Sequence, residues 1–238
     1  MKIISSLLVS VVTAVMVFTI SPVLAGDSFV DLFSQTKICF SHIAINDGWE
    51  TEVAVLNPTT KVVSGNLTFY TNNGTQLGEA FPLTINANGR YQVVVGETFT
   101  KRGTIEYIIF RAPVYGLKGY SKFYNATTRA SIMASTPQTT GLFTKLDHDG
   151  WTGIAFVNTA DIEATVILTA YSDAGEEMAV STLQVKAGEK VVNFAQDLFV
   201  QQSISGASYI RFDSDQGIVA FFLNGSSDYS KLDGSKAL

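Results

Sequence analysis

The sequence predicts an all-β protein with two tandem antiparallel β-sandwich domains that follow an N-terminal signal peptide. A series of motifs that occurs twice, about 100 residues apart, predicts the two domains. Short stretches of alternating apolar and polar residues, separated by turn residues, predict the strands of antiparallel sheets. A charged and then apolar N-terminus predicts export.

The duplication is clearest in motifs that keep their spacing. Asp47-Gly48-Trp49 recurs as Asp149-Gly150-Trp151, which lies 102 positions later. Asn57 recurs as Asn158 after 101 positions. Changes of single positions are expected where loops gain or lose a residue, and each copy has the usual length of one domain.

The start of the chain has the pattern of a secretory signal peptide. Lys2 precedes an apolar stretch over residues 3–20, and small residues that suit cleavage follow it. We therefore expect a signal peptide over residues 1–25 and a mature chain that starts at Gly26. An uncleaved membrane anchor is the alternative, because the apolar stretch is nearly long enough to span a bilayer. The helix-breaking Pro22 favours cleavage.

The domain boundaries follow from the duplication. The expected order is a leader over residues 26–35, repeat 1 over 36–134, a short linker over 135–140 and repeat 2 over 141–238. A polar stretch before the linker is assigned to repeat 1, because residues 129–132 align with residues 229–232 at an offset of 100. A linker this short favours a fixed or only modestly bending pair of domains.

Within each repeat, the residue pattern predicts individual strands and turns. Thr51, Val53 and Val55 fall on one face of a strand, as in a half-buried antiparallel sheet. Asn72-Asn73-Gly74 and Asp173-Ala174-Gly175 have the residues that tight hairpin turns require. About seven strands in each repeat, spaced at about 8–12 residues, fit a β-sandwich.

Longer stretches resemble a known kind of repeat. They are residues 41–58, which read Ser-His-Ile-Ala-Ile-Asn-Asp-Gly-Trp-Glu-Thr-Glu-Val-Ala-Val-Leu-Asn-Pro, the Asn-Gly hairpin, and residues 217–220, which read Gly-Ile-Val-Ala. Together they resemble an immunoglobulin-like β-sandwich repeat that occurs in tandem in secreted bacterial proteins of unassigned activity. The resemblance covers nearly the whole mature chain. It implies a secreted, periplasmic or cell-surface protein, and it implies no particular functional residue.

The charge balance restricts the partners. Without Lys2 the chain has 15 basic and 21 acidic side chains, so its net charge is −6. Such an acidic protein is a poor match for nucleic acid or an anionic membrane, and no later apolar run predicts stable membrane insertion. Cys39 is the single cysteine, which excludes an intramolecular disulfide. A buried apolar role is favoured over a reactive thiol or a bridge between chains.

The sequence predicts no enzyme. A nucleophilic site needs a histidine base, and the two histidines, His42 and His148, are not equivalent in the repeats. Asp147-His148-Asp149 and Asp213-Ser214-Asp215 could supply metal ligands, but polar turns are favoured, so we expect neither a metal nor a cofactor. Trp49 and Trp151 are expected to pack in the core rather than to stack on a sugar.

The two repeats differ most on their last long strand. Alternation puts four residues of repeat 1 on one face, and two residues of the preceding strand are expected on the same outer face. These candidate ligand-binding residues share a basic or aromatic character: Tyr107, Arg111, Lys118, Tyr120, Lys122 and Tyr124. The alternative is that bulges reverse the face and the stripe is partly core.

The corresponding positions of repeat 2 are apolar. Val219, Phe221 and Leu223 lie 101 positions after Lys118, Tyr120 and Lys122. An apolar stripe of this length would be unusual in contact with water, so we expect it to form an interface with repeat 1 or with a second subunit.

These observations favour a non-catalytic, secreted or periplasmic protein with a structural or interaction role in the bacterial envelope or at the cell surface. Its expected partner is an envelope or extracellular protein, and a homo-oligomer stays open. The alternative is a carbohydrate- or polymer-binding module that uses the basic and aromatic face of repeat 1. An envelope enzyme is disfavoured, because no convergent set of polar groups is evident.

Overall fold

Alternating apolar and polar residues place strands along most of the chain, as the sequence predicts. The computed structural model describes residues 36–99 and 104–238. The predicted signal peptide and leader therefore lie outside the described residues. The described chain is nearly all β and is built from antiparallel sheets.

The described part of repeat 1 is a sandwich of two four-stranded sheets, ordered β1-β6-β3-β4 and β5-β2-β7-β8. Its strands are β1 (Thr36–Phe40), β2 (Glu50–Leu56), β3 (Val63–Tyr70), β4 (Phe81–Ile85), β5 (Arg90–Val94), β6 (Tyr107–Ala112), β7 (Lys118–Tyr124) and β8 (Arg129–Met133). Inward-facing side chains of both sheets, such as Phe40, Val53, Leu67 and Phe110, form one buried core. This is the two-sheet packing expected of a β-sandwich.

Repeat 2 has the same layout with one difference. Its strands are β9 (Gln138–Phe143), β10 (Gly150–Asn158), β11 (Ala164–Tyr171), β12 (Glu177–Val185), β13 (Lys190–Phe194), β14 (Tyr209–Ser226) and β15 (Leu232–Lys236). The first half of β14 pairs with β9 and β11, and the second half pairs with β10 and β15. One 18-residue strand thus occupies the positions that β6 and β7 occupy in repeat 1.

The continuity of β14 corrects one prediction. Asp213-Ser214-Asp215 does not form a hairpin turn, because it lies within β14, where the pairing register shifts between Asp213 and Ile218. Asp215 Oδ1 accepts a hydrogen bond from the Thr165 backbone N–H at 2.8 Å, and Asp213 pairs with Arg211 at 2.7 Å. Both carboxylates therefore have protein partners.

The repeated asparagines stabilise equivalent corners of the two sandwiches. Asn158 is buried, and its Nδ2 donates to the carbonyl oxygens of Ile162 at 2.8 Å and Val185 at 3.0 Å, while Oδ1 accepts from Ala160 N–H at 2.9 Å. Asn57 makes the corresponding bonds to Lys61 O and from Thr59 N–H. The motif is repeated because each side chain satisfies backbone groups that the adjoining loop leaves without strand partners.

The predicted linker is shorter than expected. β9 begins at Gln138, which pairs with Ile218, so the last three residues of the predicted linker belong to repeat 2. Ser135 exchanges two backbone hydrogen bonds with Cys39 of β1, at 2.9 and 3.2 Å. The connection is thus held at both ends by strands.

Two short helical turns lie between the strands. They are α1 (Val95–Thr98) and a 3-10 turn at Gln196–Leu198, at equivalent corners of the repeats. In the described ranges, the structure contains no helix with the length and apolarity that a membrane span requires.

The outer face of β10 and of the second half of β14 packs against repeat 1. Val157 and Val219 form a buried cluster with Cys39, Tyr107 and Ile109, which lie on the outer face of β1 and β6. A second cluster joins Ala155 and Phe221 to Phe123 and Ile132 of β7 and β8. The two repeats therefore share an apolar interface.

Polar contacts flank this interface. The Lys190 side chain is buried, and its Nζ donates to Glu106 O at 2.9 Å and Oε2 at 3.3 Å. Burial lowers the pKa of Lys190, while the Glu106 carboxylate opposes that shift. Tyr107 donates its hydroxyl hydrogen to Gly188 O at 2.7 Å. These bonds connect residues 81 to 84 positions apart and fix how the repeats face each other.

We expect the Asn158→Ala substitution to lower the free energy of unfolding by about 2–4 kcal/mol, because it leaves the Ile162 and Val185 carbonyls without a donor. Urea denaturation measures this loss. Asn46→Ala, at an exposed position, is the control and should change stability by less than about 0.5 kcal/mol. Equal effects of the two substitutions would contradict the structural role of Asn158.

We expect Phe221→Lys to separate the repeats while both sandwiches stay folded, because Phe221 points away from the core of repeat 2. The lost burial should lower the free energy of unfolding by about 3 kcal/mol or more. Small-angle scattering should show a larger radius of gyration, and circular dichroism should retain the β signal. Tyr120→Lys, at the equivalent position of repeat 1, should leave the scattering unchanged. Loss of the β signal in Phe221→Lys would place that residue in the core.

Candidate functional site

The six candidate ligand-binding residues do not share one face. Lys118, Tyr120, Lys122 and Tyr124 lie on the outer face of β7, as alternation predicts. Tyr107 and Arg111 lie on β6, in the opposite sheet of the sandwich. The prediction of a single face is therefore wrong. The chain crosses from one sheet to the other between β6 and β7, so these consecutive strands are not neighbours.

Tyr107 and Arg111 have structural partners. Tyr107 is buried at the interface between the repeats and stacks on Tyr70 with ring centroids 4.8 Å apart. Burial raises the pKa of Tyr107 above its usual range, so its hydroxyl stays protonated and donates to Gly188 O. Arg111 Nη1 donates to Thr68 Oγ1 at 2.8 Å. Neither side chain is free for a ligand on the β7 face.

The β7 face carries a hydrogen-bonded network centred on Glu52. Glu52 Oε1 accepts from the Tyr120 hydroxyl at 2.8 Å, and Oε2 accepts from Gln92 Nε2 at 2.7 Å. Lys122 Nζ lies 3.5 Å from Oε2, and Arg90 Nη2 donates to the Tyr120 hydroxyl at 2.9 Å. The polar groups of this face already satisfy one another, which lowers the gain from binding a ligand there.

The predicted interface residues occupy two settings. Val219 and Phe221 are buried against repeat 1 in the clusters described above. Leu223, two positions further along β14, is partly buried and lies at the edge of the second cluster. Leu223 also lines a cleft at the junction of the repeats.

Sequence reasoning missed this cleft, which brings both tryptophans together. Two adjoining cavities, of about 520 and 300 Å³, open at the junction of the repeats. Their walls share His42, Trp151, Leu223 and Tyr229. We call the combined space the aromatic cleft, and its ring-bearing lining residues are His42, Trp49, Phe123, Trp151, Phe194, Phe221 and Tyr229.

Trp151 lies against the sheet because its cross-strand neighbour has no side chain. Trp151 pairs with Gly225, and a Cβ at position 225 would lie 2.2 Å from Trp151 Cε2. Phe194 meets the indole edge-on at 6.0 Å, and Tyr229 is tilted by 37° at 6.1 Å. Trp151 Nε1 is buried and has no hydrogen-bond partner in the part of the chain that the structure describes.

Trp49 has a different environment from Trp151. It packs on Phe123 with ring centroids 6.1 Å apart and borders the apolar cluster between the repeats. At the offset of 101 that relates β10 to β2, the counterpart of Trp151 is Glu50, which pairs with Tyr124, and Trp49 lies one residue before β2. The duplicated Asp-Gly-Trp motif therefore supplies two differently placed rings to one cleft.

Tyr229 reaches the cleft from a hairpin loop that is longer in repeat 2. Tyr120 pairs with Met133, whereas Phe221, 101 positions later, pairs with Lys236, which is 103 positions after Met133. The β14–β15 hairpin thus has two additional residues. The sequence alignment of residues 129–132 with residues 229–232 was wrong by three positions. The insertion accounts for two of them, and the offset of 101 between β7 and β14 accounts for the third.

The loop holds Tyr229 in a strained conformation. Its φ of +58° lies in the left-handed region, which is unusual for a large side chain. Asp228 Oδ1 accepts hydrogen bonds from Ser226 Oγ, Ser230 N–H and Ser230 Oγ at 2.6 to 3.1 Å. The Ser226 hydroxyl and these other bonds lower the pKa of Asp228 to about 2. Tyr229 is therefore presented by a loop whose backbone is fixed independently of the ring.

His42 lines both parts of the aromatic cleft as a neutral ring. It meets Phe123 edge-on at 4.6 Å and Phe221 at 5.5 Å. Burial lowers the pKa of His42 to about 3, and the charge of Lys190 contributes further. Its Nδ1 is buried and lacks a hydrogen-bond partner among residues 36–99 and 104–238.

A polar cavity of about 550 Å³ shares Lys231 and Leu232 with the lining of the aromatic cleft. Its charged or ring-nitrogen side chains are Lys145, Asp147, His148, Asp149, Lys231 and Asp233. His148 is exposed and donates from Nε2 to Ala207 O at 2.7 Å. Within the described ranges, no three His, Cys, Asp or Glu side chains are grouped closely enough to hold a metal ion.

The environment of Cys39 does not favour a reactive thiol. It is fully buried between the repeats as a free thiol, and burial raises its pKa to about 12. A thiol is nucleophilic only as the thiolate, so Cys39 has the packing role that the sequence favours.

Comparison with known proteins yields distant structural likenesses. No family model and no curated protein matches the chain. Among solved structures, a protein from Parabacteroides distasonis, provisionally designated a secreted protein, shares 10% identity over 79% of this chain and 71% of its own, with a TM-score of 0.24. β-Glucuronidase 2 of Bacteroides uniformis shares 11% identity over 85% of this chain, with a TM-score of 0.22, and an allantoicase shares 7% with a TM-score of 0.20. This chain spans 25% of that β-glucuronidase and 73% of the allantoicase. All three TM-scores are too low to support a functional argument.

We expect Gly225→Ala to displace the Trp151 ring, because the added Cβ would overlap the indole. The cost should be about 1–3 kcal/mol of unfolding free energy, as for other overpacked sites. Trp151 should also become more accessible to acrylamide in a Trp49→Phe background, in which it is the sole tryptophan. Gly153→Ala is the matched control, because its Cβ would lie 3.4 Å from Trp151, an ordinary contact. Identical quenching in the two variants would contradict the described position of the ring.

Proposed function

We propose that this protein is an exported, non-catalytic interaction protein of the bacterial envelope or cell surface, and that it binds its partner in the aromatic cleft. The observation that carries the proposal is the convergence of Trp49, Trp151 and Tyr229 at the junction of the repeats. Aromatic side chains supply large contact areas at a small entropic cost, and they dominate the energetics of binding sites.

The surface around the cleft supports a binding role. Val192, Phe194 and Tyr229 are 58%, 49% and 68% exposed, although they are large apolar or aromatic residues. Val192 and Phe194 alternate along β13 and point to the same side, where Trp151 meets Phe194. A contiguous exposed apolar patch marks a site of interaction.

The titratable groups at the cleft favour binding over catalysis. A general base needs a pKa near the working pH and a hydrogen-bonded partner within about 3 Å. His42 has a pKa of about 3 and packs between phenyl rings. The Glu52 network lies on the outer face of β2 and β7 in repeat 1. Its groups are hydrogen-bonded to one another, which suits a structural role better than proton transfer.

The junction is suited to present the cleft as a fixed shape. The buried clusters around Val219 and Phe221, together with the Lys190 bonds to Glu106, hold the repeats in one arrangement. A preorganised cleft loses less entropy on binding than one that must form. The alternative site on β7 has weaker support, because Tyr120 and Lys122 already contact Glu52.

Export and binding can be tested together. The full chain, expressed in a bacterial host, should be recovered outside the cytoplasm with Gly26 as its first residue, because the N-terminal pattern is that of a signal peptide. Terminal sequencing of each cell fraction measures this.

The exported protein should then cosediment with cell-envelope material, and Trp151→Ala should reduce the bound fraction at least about threefold.

Tyr115→Ala, at an exposed tyrosine outside the aromatic cleft, is the control and should bind like the parent protein. A chain that stays in the cytoplasm would overturn the location. Equal sedimentation of Trp151→Ala and the parent protein would overturn the assignment of the cleft.

A further inference from the structure

We propose that the aromatic cleft binds a neutral oligosaccharide, with a sugar ring stacked on the surface that Trp151 and Tyr229 form together. This assignment of the ligand class rests on the proposed function. It draws on three features of the same region: the two-ring platform, the residues added to the β14–β15 hairpin, and the polar cavity that shares Lys231 and Leu232 with the cleft.

The platform has the shape that a pyranose ring requires. Trp151 lies along the sheet above Gly225, so its indole is backed by backbone rather than by another side chain. Tyr229 stands 6.1 Å away at 37°, and together the rings form an open angle that can accept the C–H face of a sugar. Stacked contacts of this kind bury apolar area without demanding charge on the ligand.

The hairpin insertion links Tyr229 to this region specifically. Repeat 1 has no counterpart of the two additional residues, and its loop lacks a ring at that place. The Asp228 hydrogen bonds keep the loop in a conformation that is unfavourable for a tyrosine backbone. Strain of this kind persists where the surrounding structure over-determines it, and it is concentrated at ligand clamps. The insertion therefore adds a second wall to a platform that Trp151 alone would leave one-sided.

The polar cavity supplies hydrogen bonds for sugar hydroxyls. It lies next to Lys231 and Leu232, which also line the aromatic cleft. Its charged side chains are two lysines and three aspartates, so it has both donors and acceptors and little net charge. Hydroxyl groups donate and accept, and they match a mixed lining better than a phosphate or a uronate does.

The charges also argue against an anionic ligand. An anionic polymer would meet three aspartates and two lysines in the polar cavity, so it would gain no net attraction there, and the chain as a whole has a net charge of −5. The neutral oligosaccharide thus fits both halves of the region.

The two tryptophans make the test direct, because both line the cleft and the chain has no others. Exported full-length protein should be titrated with cellohexaose, laminarihexaose, mannohexaose and chitohexaose. Tryptophan emission and calorimetry are the measurements. At least one hexasaccharide should change the emission and bind with a Kd of about 1 mM or lower, the range expected for a shallow aromatic site. A trigalacturonate and a Phe-containing pentapeptide serve as the anionic and peptide probes.

Two variants separate stacking from folding. Tyr229→Asn removes the ring but keeps a residue that tolerates positive φ, so it should weaken hexasaccharide binding at least about tenfold with unchanged stability. Trp151→Ala should weaken it by a similar factor, and Tyr115→Ala should leave it within about twofold. Calorimetry reports all three, and thermal unfolding verifies that each variant is folded.

The outcomes distinguish this inference from the proposed function. No binding of any hexasaccharide at about 10 mM, or binding that neither Tyr229→Asn nor Trp151→Ala weakens, overturns the saccharide assignment. Binding of only the trigalacturonate or only the pentapeptide, with loss in Trp151→Ala, also overturns it but retains the cleft as the binding site. Failure of the envelope cosedimentation as well removes the proposed function itself.

Discussion

The burial of the outer sheet face of repeat 2 against repeat 1 is the constraint on which the rest of the structure depends. A sandwich normally keeps its outer faces in water, and repeat 1 does so with lysine and tyrosine on β7 and glutamate on the neighbouring β2. In repeat 2 the equivalent face carries Val219 and Phe221, which are stable only when covered. Covering them fixes the relative position of the repeats, and the aromatic cleft is the part of the same face that the contact leaves open.

The sequence predicts the fold well, because antiparallel strands and turns leave local signals. Alternation on Thr51 to Val55 and the hairpin residues at Asn73 and Gly74 are local patterns, and the structure places strands and turns there. The missing turn at Asp213 is a failure of the same reasoning. Polar residues at the crossing between the two layers look like a loop in sequence, yet Asp213 and Ser214 pair with β11 and the strand continues to Ser226.

The candidate site could be predicted only in part. Alternation identifies the outward direction of Phe221, but it cannot show that Tyr107 and Tyr120 lie in opposite sheets, because that depends on strand order. The aromatic cleft depends on contacts between residues about 100 positions apart. The repeated tryptophan is the one sequence signal for the aromatic cleft, and by itself it favours a role in the core. The position of Trp151 on the outer face of the sheet follows from the pairing of Trp151 with Gly225, which only the structure shows.

The unbroken course of β14 has a mechanical consequence. The described strands of repeat 2 form one continuous seven-stranded sheet, because the first half of β14 pairs with β9 and β11 and its second half with β10 and β15. Neither layer of this sandwich can therefore lose its central strand without displacing the other. The corresponding segments of repeat 1, β6 and β7, are joined by a loop that can absorb such a displacement. Under tension repeat 2 should therefore yield as one element, whereas repeat 1 can give way one sheet at a time. A protein anchored by its N-terminal side would then extend first at repeat 1 and keep the β14 half of the cleft intact.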